Sequence, residues 1–556
     1  MTAVDAHLNG LPDEATLARL ASEFFAALPG EAASLDGRTG AAGLAAPPAA
    51  AGPLGITPGL PAAGKPASPE ATELSHVPAS LEDSGFTVHA PPHRDAAPGW
   101  ESLAPAGIPA GLGRAMADPY APLRAQEFYF AAPRQAPAPA APFTRRPGQL
   151  SFDVAAIRHD FPILAERVNG HPLVWLDNGA TTQKPQEVID RLVRFYTHEN
   201  SNIHRAAHEL AARATQAYED ARGAVARFLG APSSDDIVFV RGTTEAINLV
   251  AQSWGRTYVG SGDEIVLSHL EHHANIVPWQ LLAEERGARL RVIPVDDSGQ
   301  VILDEYLKLL TDRTRVVAVA HVSNALGTVL PLRAIIDAAH AAGAVVLVDG
   351  AQAVSHMPVD VRELDADFYV FSGHKVFAPT GIGALYGKPD VLDSMPPWQG
   401  GGNMIRNVTF ERSVYQAPPG RFEAGTPSIA DAAGLGAALA YVERIGRANI
   451  ASYEHDLLAY ATRALEAVPG LRLVGTAPDK AGILSFTLDG YRPEEVGSAL
   501  DCEGIAVRAG HHCAQPILRR FGLTATVRAA LAMYNTHAEV DLLAATLHRL
   551  ARRRTR

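Results

Sequence analysis

From Phe152 onward the sequence predicts an α/β fold: a largely parallel sheet followed by a smaller second domain. Between Phe152 and Gly434, short apolar runs alternate with amphipathic stretches. Beyond Gly434 longer helical stretches take over, with fewer strand candidates. A third observation bounds the fold, because 41 prolines and 48 glycines are unevenly spread and much of the proline excess falls before residue 150.

Residues 1–150 carry tracts such as AAGLAAPPAAAGPLGITPGLPAAGKP and APRQAPAPAAP. They resist helix and strand and bury little apolar surface, so a disordered leader is expected. Two islands differ. In DEATLARLASEFFAALPG, Leu17, Leu20, Phe24 and Leu28 recur at helical spacing, Asp13 can cap the start, and Pro29-Gly30 ends the run. QEFYFAAP places Phe128, Tyr129 and Phe130 in a row. Each island reads either as a piece that docks on the chain's own core or as an apolar anchor for a different protein.

In the α/β region IVFV at Ile237, EIVLS at Glu264, RVVAVAHV at Arg315, AVVLVDGA at Ala344 and FYVFSG at Phe368 read as buried strands. TEAINLVAQSWG and LRAIIDAAHAAG read as helices between them, the strand-helix-strand rhythm of a parallel sheet. Ligands in such sheets sit beyond the carboxyl ends of the strands. After Gly434 come the helices GLGAALAYVERIG and ASYEHDLLAYATRALEAV, the strands LRLVG and ILSFTL, and a final helix from Ala538.

A net charge of -12 disfavours nonspecific nucleic-acid binding. Cys502 and Cys513 are too few for a disulfide framework and lack a C-x-x-C metal spacing, which fits a reducing cytoplasm and no metal. MTAVDAHLNG lacks a signal-peptide pattern, and no segment is apolar enough to span a membrane. A soluble cytoplasmic protein is expected.

The chemistry gathers at strand ends. Lys375 follows FSGH, where a desolvated amine can form an imine, and Asp349 ends AVVLVD. Pyridoxal phosphate needs a lysine for its aldehyde and a carboxylate for its ring nitrogen. A lone strand-end lysine is more often structural; the acid on a neighbouring strand end changes the balance. Gly242, Thr243 and Thr244 start a helix after IVFV, where free N–H groups favour a phosphate, although a plain helix cap reads the same way. Ser372 and His374 add donors. His272 in EHHAN stands where it can stack on a cofactor ring, and Asn324 and Gln352 end other strands. Arg508 and Arg528 can each clamp a carboxylate or form a surface ion pair. Cys513, flanked by Arg508, His511 and His512, is expected to be rich in thiolate and nucleophilic. Cys502, at a helix end, reads as packing.

Together LDNGATTQKP, NIHRAAHELA, FVRGTTEAINLVA, EHHANIVPWQ, HVSNALGT, VDGAQAV, DFYVFSGHK, PTGIGALYG, RFEAGTPSI, GIAVRAGHHCAQP and RAALAMYNT resemble the cysteine desulfurases, specifically the group II, SufS-like branch that includes selenocysteine lyases. The resemblance implies a fold-type I pyridoxal-phosphate transferase with a seven-stranded sheet, working as a homodimer. It implies an arm at 151–171, a large domain at 172–433 and a small α+β domain at 434–556. By motif match Lys375 holds the cofactor's aldehyde, Asp349 pairs with the pyridinium and His272 stacks on the ring. Thr244, Ser372 and His374 bind phosphate, with Thr426 from the other subunit. Gln352 contacts the ring oxygen, Asn324 and Arg528 hold the substrate carboxylate, and Cys513 takes the sulfur of L-cysteine. The short GHHC loop implies a dedicated sulfur acceptor such as a SufE-like protein. Gly179 and Ala509 stand where alanine and threonine are common, and neither change removes a reacting group.

The leader, with LARLASEFFAALPG near its start, resembles that of cysteine desulfurases carried as cargo of family 2 encapsulin shells. Capture of residues 1–150 by such a shell, and a place inside the nanocompartment, are therefore expected. Two rival readings stand beside cysteine desulfuration. One is selenocysteine lyase, with the same residues; the other is an interaction protein that carries a retired enzyme core.

Overall fold

The computed structural model describes residues 152–204 and 208–554. Both leader islands lie outside them. The first described helix, Val154–His159, is capped by Asp153, whose carboxylate accepts the N–H groups of Ala155 and Ala156. Three two-residue strands follow, β1 (Arg167–Val168), β2 (His171–Pro172) and β3 (Val174–Trp175).

The main sheet is built from β4 (Ile237–Val240), β5 (Glu264–Ser268), β6 (Arg289–Ile293), β7 (Thr314–Ala320), β8 (Val345–Asp349), β9 (Phe368–Ser372) and β10 (Gly383–Gly387). Its order is β4-β10-β9-β8-β7-β5-β6. Neighbours from β9 to β6 pair in parallel, while β10 runs antiparallel to both β9 and β4. Alternation within the strands divides the core. Phe239, Val266, Val317, Val319, Val346, Val348 and Phe371 feed one apolar cluster, whereas Val238, Ile265, Leu267, Val316, Leu347 and Val370 feed another. Burial on both faces is why these strands read as unbroken apolar runs.

After the hairpin of β11 (Ile405–Val408) and β12 (Ser413–Tyr415) come two long helices, Ile429–Ile445 and Arg447–Glu466. The texture change near Gly434 thus falls inside a helix. A four-stranded sheet of order β13-β14-β17-β16 follows, from β13 (Leu471–Val474), β14 (Ile483–Leu488), β16 (Arg508–Gly510) and β17 (Thr526–Ala530). The short β15 (Ile505–Ala506) pairs in parallel with β3, and Asp177 bridges to Ala530. These pairings draw the N-terminal segment against the C-terminal sheet. The seven-stranded, mostly parallel sheet with a smaller α+β layer matches the expected architecture.

One buried ion pair fixes the segment RFEAGTP. The Arg222 guanidinium grips Glu423 with Nη1–Oε1 at 2.6 Å and Nη2–Oε2 at 2.9 Å. The same carboxylate accepts the N–H of Phe239 in β4 and the hydroxyl of Tyr218. With its lone pairs filled, the buried charge is tolerated. Among the described residues no helix is long and apolar enough to cross a membrane.

Candidate active site

The carboxyl ends of β4, β5, β7, β8 and β9 open on one rim, and there a cleft of about 210 Å³ lies. Thr244, His272, Asn324, Asp349, Gln352, Ser372, His374, Lys375, Arg508, Cys513 and Arg528 all line it. Thr426 does not. It is exposed, near Asn202 at 3.5 Å, so a role for it needs a second copy of the chain.

Lys375 follows β9 in a single 3-10 turn. The residue keeps some accessible surface in the open cleft, yet desolvation brings its amine down to about 8, against the pull of Asp349. Asp349 ends β8, and its Oδ1 accepts the N–H of Ala351 at 2.9 Å. Burial raises its pKa, while that N–H and Lys375 favour the carboxylate. His272 is held at about 3 by burial, then by Lys375, His273 and Arg528. Its Nδ1 accepts the N–H of Ala274 at 3.0 Å, which assigns the proton of the neutral ring to Nε2.

The opposite end suits an anion. Gly242 precedes the helix Thr243–Val250 at φ 153°, a conformation open to glycine, and a Cβ there would meet Ser372 Oγ at 3.0 Å. Ser372 Oγ accepts the N–H of Thr243 at 2.9 Å and donates to its Oγ1. His374 stays neutral, lowered to about 4 by burial and by Lys375 and Lys184. The predicted helix over TEAINLVAQSWG is present and runs on: after Val250 it passes through a π-helical turn, Ala251–Gly255, into the short helix Arg256–Tyr258.

The two arginines share one carboxylate. Asp177 Oδ1 takes Arg528 Nη2 at 3.1 Å and its Oδ2 takes Arg508 Nε at 3.2 Å. Arg528 is buried, donates through Nη1 to the Asn324 carbonyl at 2.8 Å, and leaves Nε without a partner. Arg508 is exposed. Asn324 Oδ1 is likewise unpartnered, so two groups with unused hydrogen-bonding capacity face the cleft. Gln352 Nε2 donates to the carbonyl of Gly179 at 2.6 Å, and a Cβ at Gly179 would lie 2.9 Å from the Arg528 guanidinium carbon.

Cys513 sits in a turn where both it and His512 have positive φ, 54° and 53°. The expectation that His512 adds positive charge beside the thiol is corrected by its burial. Its Nε2 is paired with Thr526 Oγ1 at 2.8 Å, and burial with the two arginines lowers it to about 3, a neutral ring. Positive charge near Cys513 comes instead from Arg528 and Lys375. The packing role expected of Cys502 is also corrected. It is exposed at the C-cap of Pro493–Asp501, while Val496 and Leu500 take that helix's buried side.

Sequence reasoning missed Asp177, quoted in LDNGAT without a role, and Glu271. Glu271 is fully buried and raised to about 7 by desolvation. It accepts from Ser268 Oγ, from Asn275 Nδ2 at 2.6 Å and from the N–H of Ala320 at 3.1 Å. A carboxylate inside a histidine-rich loop was the available signal.

Known proteins place the chain independently of this geometry. The model of the class-V aminotransferases matches residues 174–543. A cysteine desulfurase of Synechococcus elongatus is 66% identical over 403 residues, covering 72% of this chain and 64% of that protein. A cysteine desulfurase of Pectobacterium atrosepticum is 51% identical over 404 residues, covering 72% of this chain and 99% of that one. The solved structure of the cysteine desulfurase CsdA (S-sulfonic acid) from Escherichia coli matches with a TM-score of 0.67 at 42% identity, covering 72% of this chain and 98% of that one. The chain therefore spans slightly under two thirds of the Synechococcus relative and nearly all of the other two.

Proposed function

Because this chain belongs to the class-V aminotransferase family and, within it, to the cysteine desulfurases, we propose that it converts L-cysteine to L-alanine and leaves the sulfur on Cys513 as a persulfide. One observation carries the reading: a single cleft holds the Lys375 amine, the Asp349 carboxylate and the Cys513 thiol.

The residues fit pyridoxal phosphate. The space that a Cβ would fill at Gly242 lies at a helix N-terminus, a natural seat for phosphate. Thr244, Ser372 and His374 would hold that phosphate, joined by Thr426 of a second copy. Asp349 would face the ring nitrogen, Gln352 the ring oxygen and His272 the ring face. Bound there, the cofactor supplies an electron sink for charge developing at the substrate's α-carbon.

The chain's own groups do the rest. Arg528 offers its unpartnered Nε to the substrate carboxylate, with Asn324 beside it and Asp177 holding the guanidinium in place. Arg508 brings a second charge to the mouth. Lys375 Nζ, at about 8, exchanges a proton readily near neutral pH and takes the α-proton. Cys513 Sγ attacks the substrate sulfur as the bond from that sulfur to the β-carbon breaks. The electron pair of the broken bond stays on carbon, which takes a proton and becomes the methyl of alanine.

The short RAGHHCAQP loop supports the group II reading, in which a separate acceptor such as a SufE-like protein comes to the persulfide. The apolar residues at helical spacing in LARLASEFFAALPG support capture of a homodimeric enzyme by an encapsulin shell in the cytoplasm. The deciding assay supplies L-cysteine to the cofactor-loaded protein and follows alanine, with mass spectrometry of the peptide that carries Cys513. Alanine without a persulfide on Cys513, or no alanine, overturns the reading.

A further inference from the structure

The cysteine loop rests on a residue that lies outside the cleft. His273 is next to His272 in EHHAN, but it does not line the cavity. Its backbone N–H donates to the carbonyl of Cys513 at 2.8 Å. Its ring Nε2 accepts the N–H of Gln515 at 3.2 Å. The same ring stacks on His511, with centroids 5.7 Å apart and planes 29° from parallel. His511 in turn accepts the N–H of Cys513 at Nδ1, at 3.0 Å. Both backbone polar groups of Cys513 are thus held by histidines, and His273 touches the loop at three points.

The loop needs such a hold. His512 and Cys513 are consecutive non-glycine residues in the left-handed region, a strained conformation that persists only where the surroundings over-determine the backbone. Nucleophilic attack also depends on placement, since a misplacement of about 1 Å can cost about 100-fold in rate.

We infer that His273 is a positioning residue for Cys513, fixing the thiol's approach to the substrate sulfur by holding the Cys513–Gln515 backbone and the His511 ring. The inference rests on the reading of Cys513 as the sulfur-taking residue, and it is silent about the cofactor. Burial with the nearby His511 and Arg519 lowers the His273 pKa, which keeps Nε2 free to accept.

The test uses the full-length holoenzyme and two variants. His273→Phe keeps a ring to stack but loses the Nε2 acceptor. His273→Gln offers an amide oxygen where Nε2 stood. For His273→Phe, kcat for alanine formation falls about tenfold while KM for cysteine stays within twofold. Cofactor absorbance is unchanged, and alkylation of Cys513 by iodoacetamide, read on its own peptide, speeds up severalfold. His273→Gln returns both rates to within about twofold of the parent. A His273→Phe enzyme with parental kcat and alkylation rate overturns the inference, as does a His273→Gln enzyme as impaired as His273→Phe. If the parent makes no alanine, the proposed function fails on its own, while the alkylation rates still decide whether His273 holds the loop.

Discussion

Asn324 ties the cysteine loop to the main sheet: its Nδ2 donates to the carbonyl oxygen of His512 at 2.6 Å. The loop that carries Cys513 belongs in sequence to the C-terminal sheet, yet it is fastened just past the end of β7. The thiol and the Lys375 amine consequently open on one space, and two substitutions separate their work.

Lys375→Ala should abolish turnover and the absorbance near ~420 nm that marks lysine-bound pyridoxal. No other lysine lines the cleft to take its place. Spectra and alanine assays of the purified variant check this, and cysteine-dependent alanine at the parental rate would contradict it.

Cys513→Ser should keep that colour and lose alanine formation from cysteine, because the cofactor's anchor is intact and the sulfur acceptor is gone. Cys502→Ser should retain parental turnover, its thiol being exposed at a helix end outside the cleft. Steady-state alanine formation by the pair distinguishes the two thiols; inactivity of the Cys502 variant reverses the assignment.

Glu423→Ala should destabilise the fold by about 3 kcal/mol, since it leaves the buried Arg222 guanidinium with only Glu219 and the Ile237 carbonyl and leaves the N–H of Phe239 unpaired. Denaturant midpoints measure the loss. The same change loosens the segment that carries Thr426, so phosphate titration of the cofactor-free protein should show weaker binding.

The buried histidines should take stability from the fold between about pH 6.5 and 4. Burial holds His272 and His512 at about 3 and His321 and His374 at about 4, whereas an unfolded histidine titrates near about 6.5. In that window the unfolded chain binds protons that the fold refuses. Stability is therefore present above the unfolded value and is lost as pH falls. Glu271, held at about 7 by burial, works the other way in the same window, so the histidine share is read by difference: stability measured in steps from about pH 6.5 to 4 should lose about one proton of slope in His321→Asn relative to the parent.

Removal of residues 1–150 should leave cysteine turnover intact and end co-purification with a co-expressed encapsulin shell, because every cleft residue lies after that segment. Leu17, Phe24 and Leu28 to Ala in the full chain should weaken capture. Lost turnover would make the leader part of the enzyme, and undiminished capture would remove it from targeting.

Five strands, β4, β5, β7, β8 and β9, were legible because burial on both faces writes them as continuous apolar runs. β10 was not, since glycines at both ends of GALYG break its apolar run, and the edge strand β6 hid behind the charges of RLRVI. Cleft residues at strand ends were readable from chemistry plus position. Asp177 and Glu271 escaped because each acts through tertiary partners: two arginines for one, Ser268, Asn275 and Ala320 for the other. The neutral state of His512 escaped for the same reason, because burial in a fold decides it.

The common direction of the five strands that reach the cleft has a practical use. Their amino ends gather at the far rim, where the turn before β8 holds Gly343, with nothing within 4 Å of the place its Cβ would occupy. A strand of five residues rising ~3.3 Å each puts that turn roughly 16 Å or more from the carboxyl rim. A linker to an electrode or a bead, spliced there, would leave the reacting rim facing the solution on every molecule.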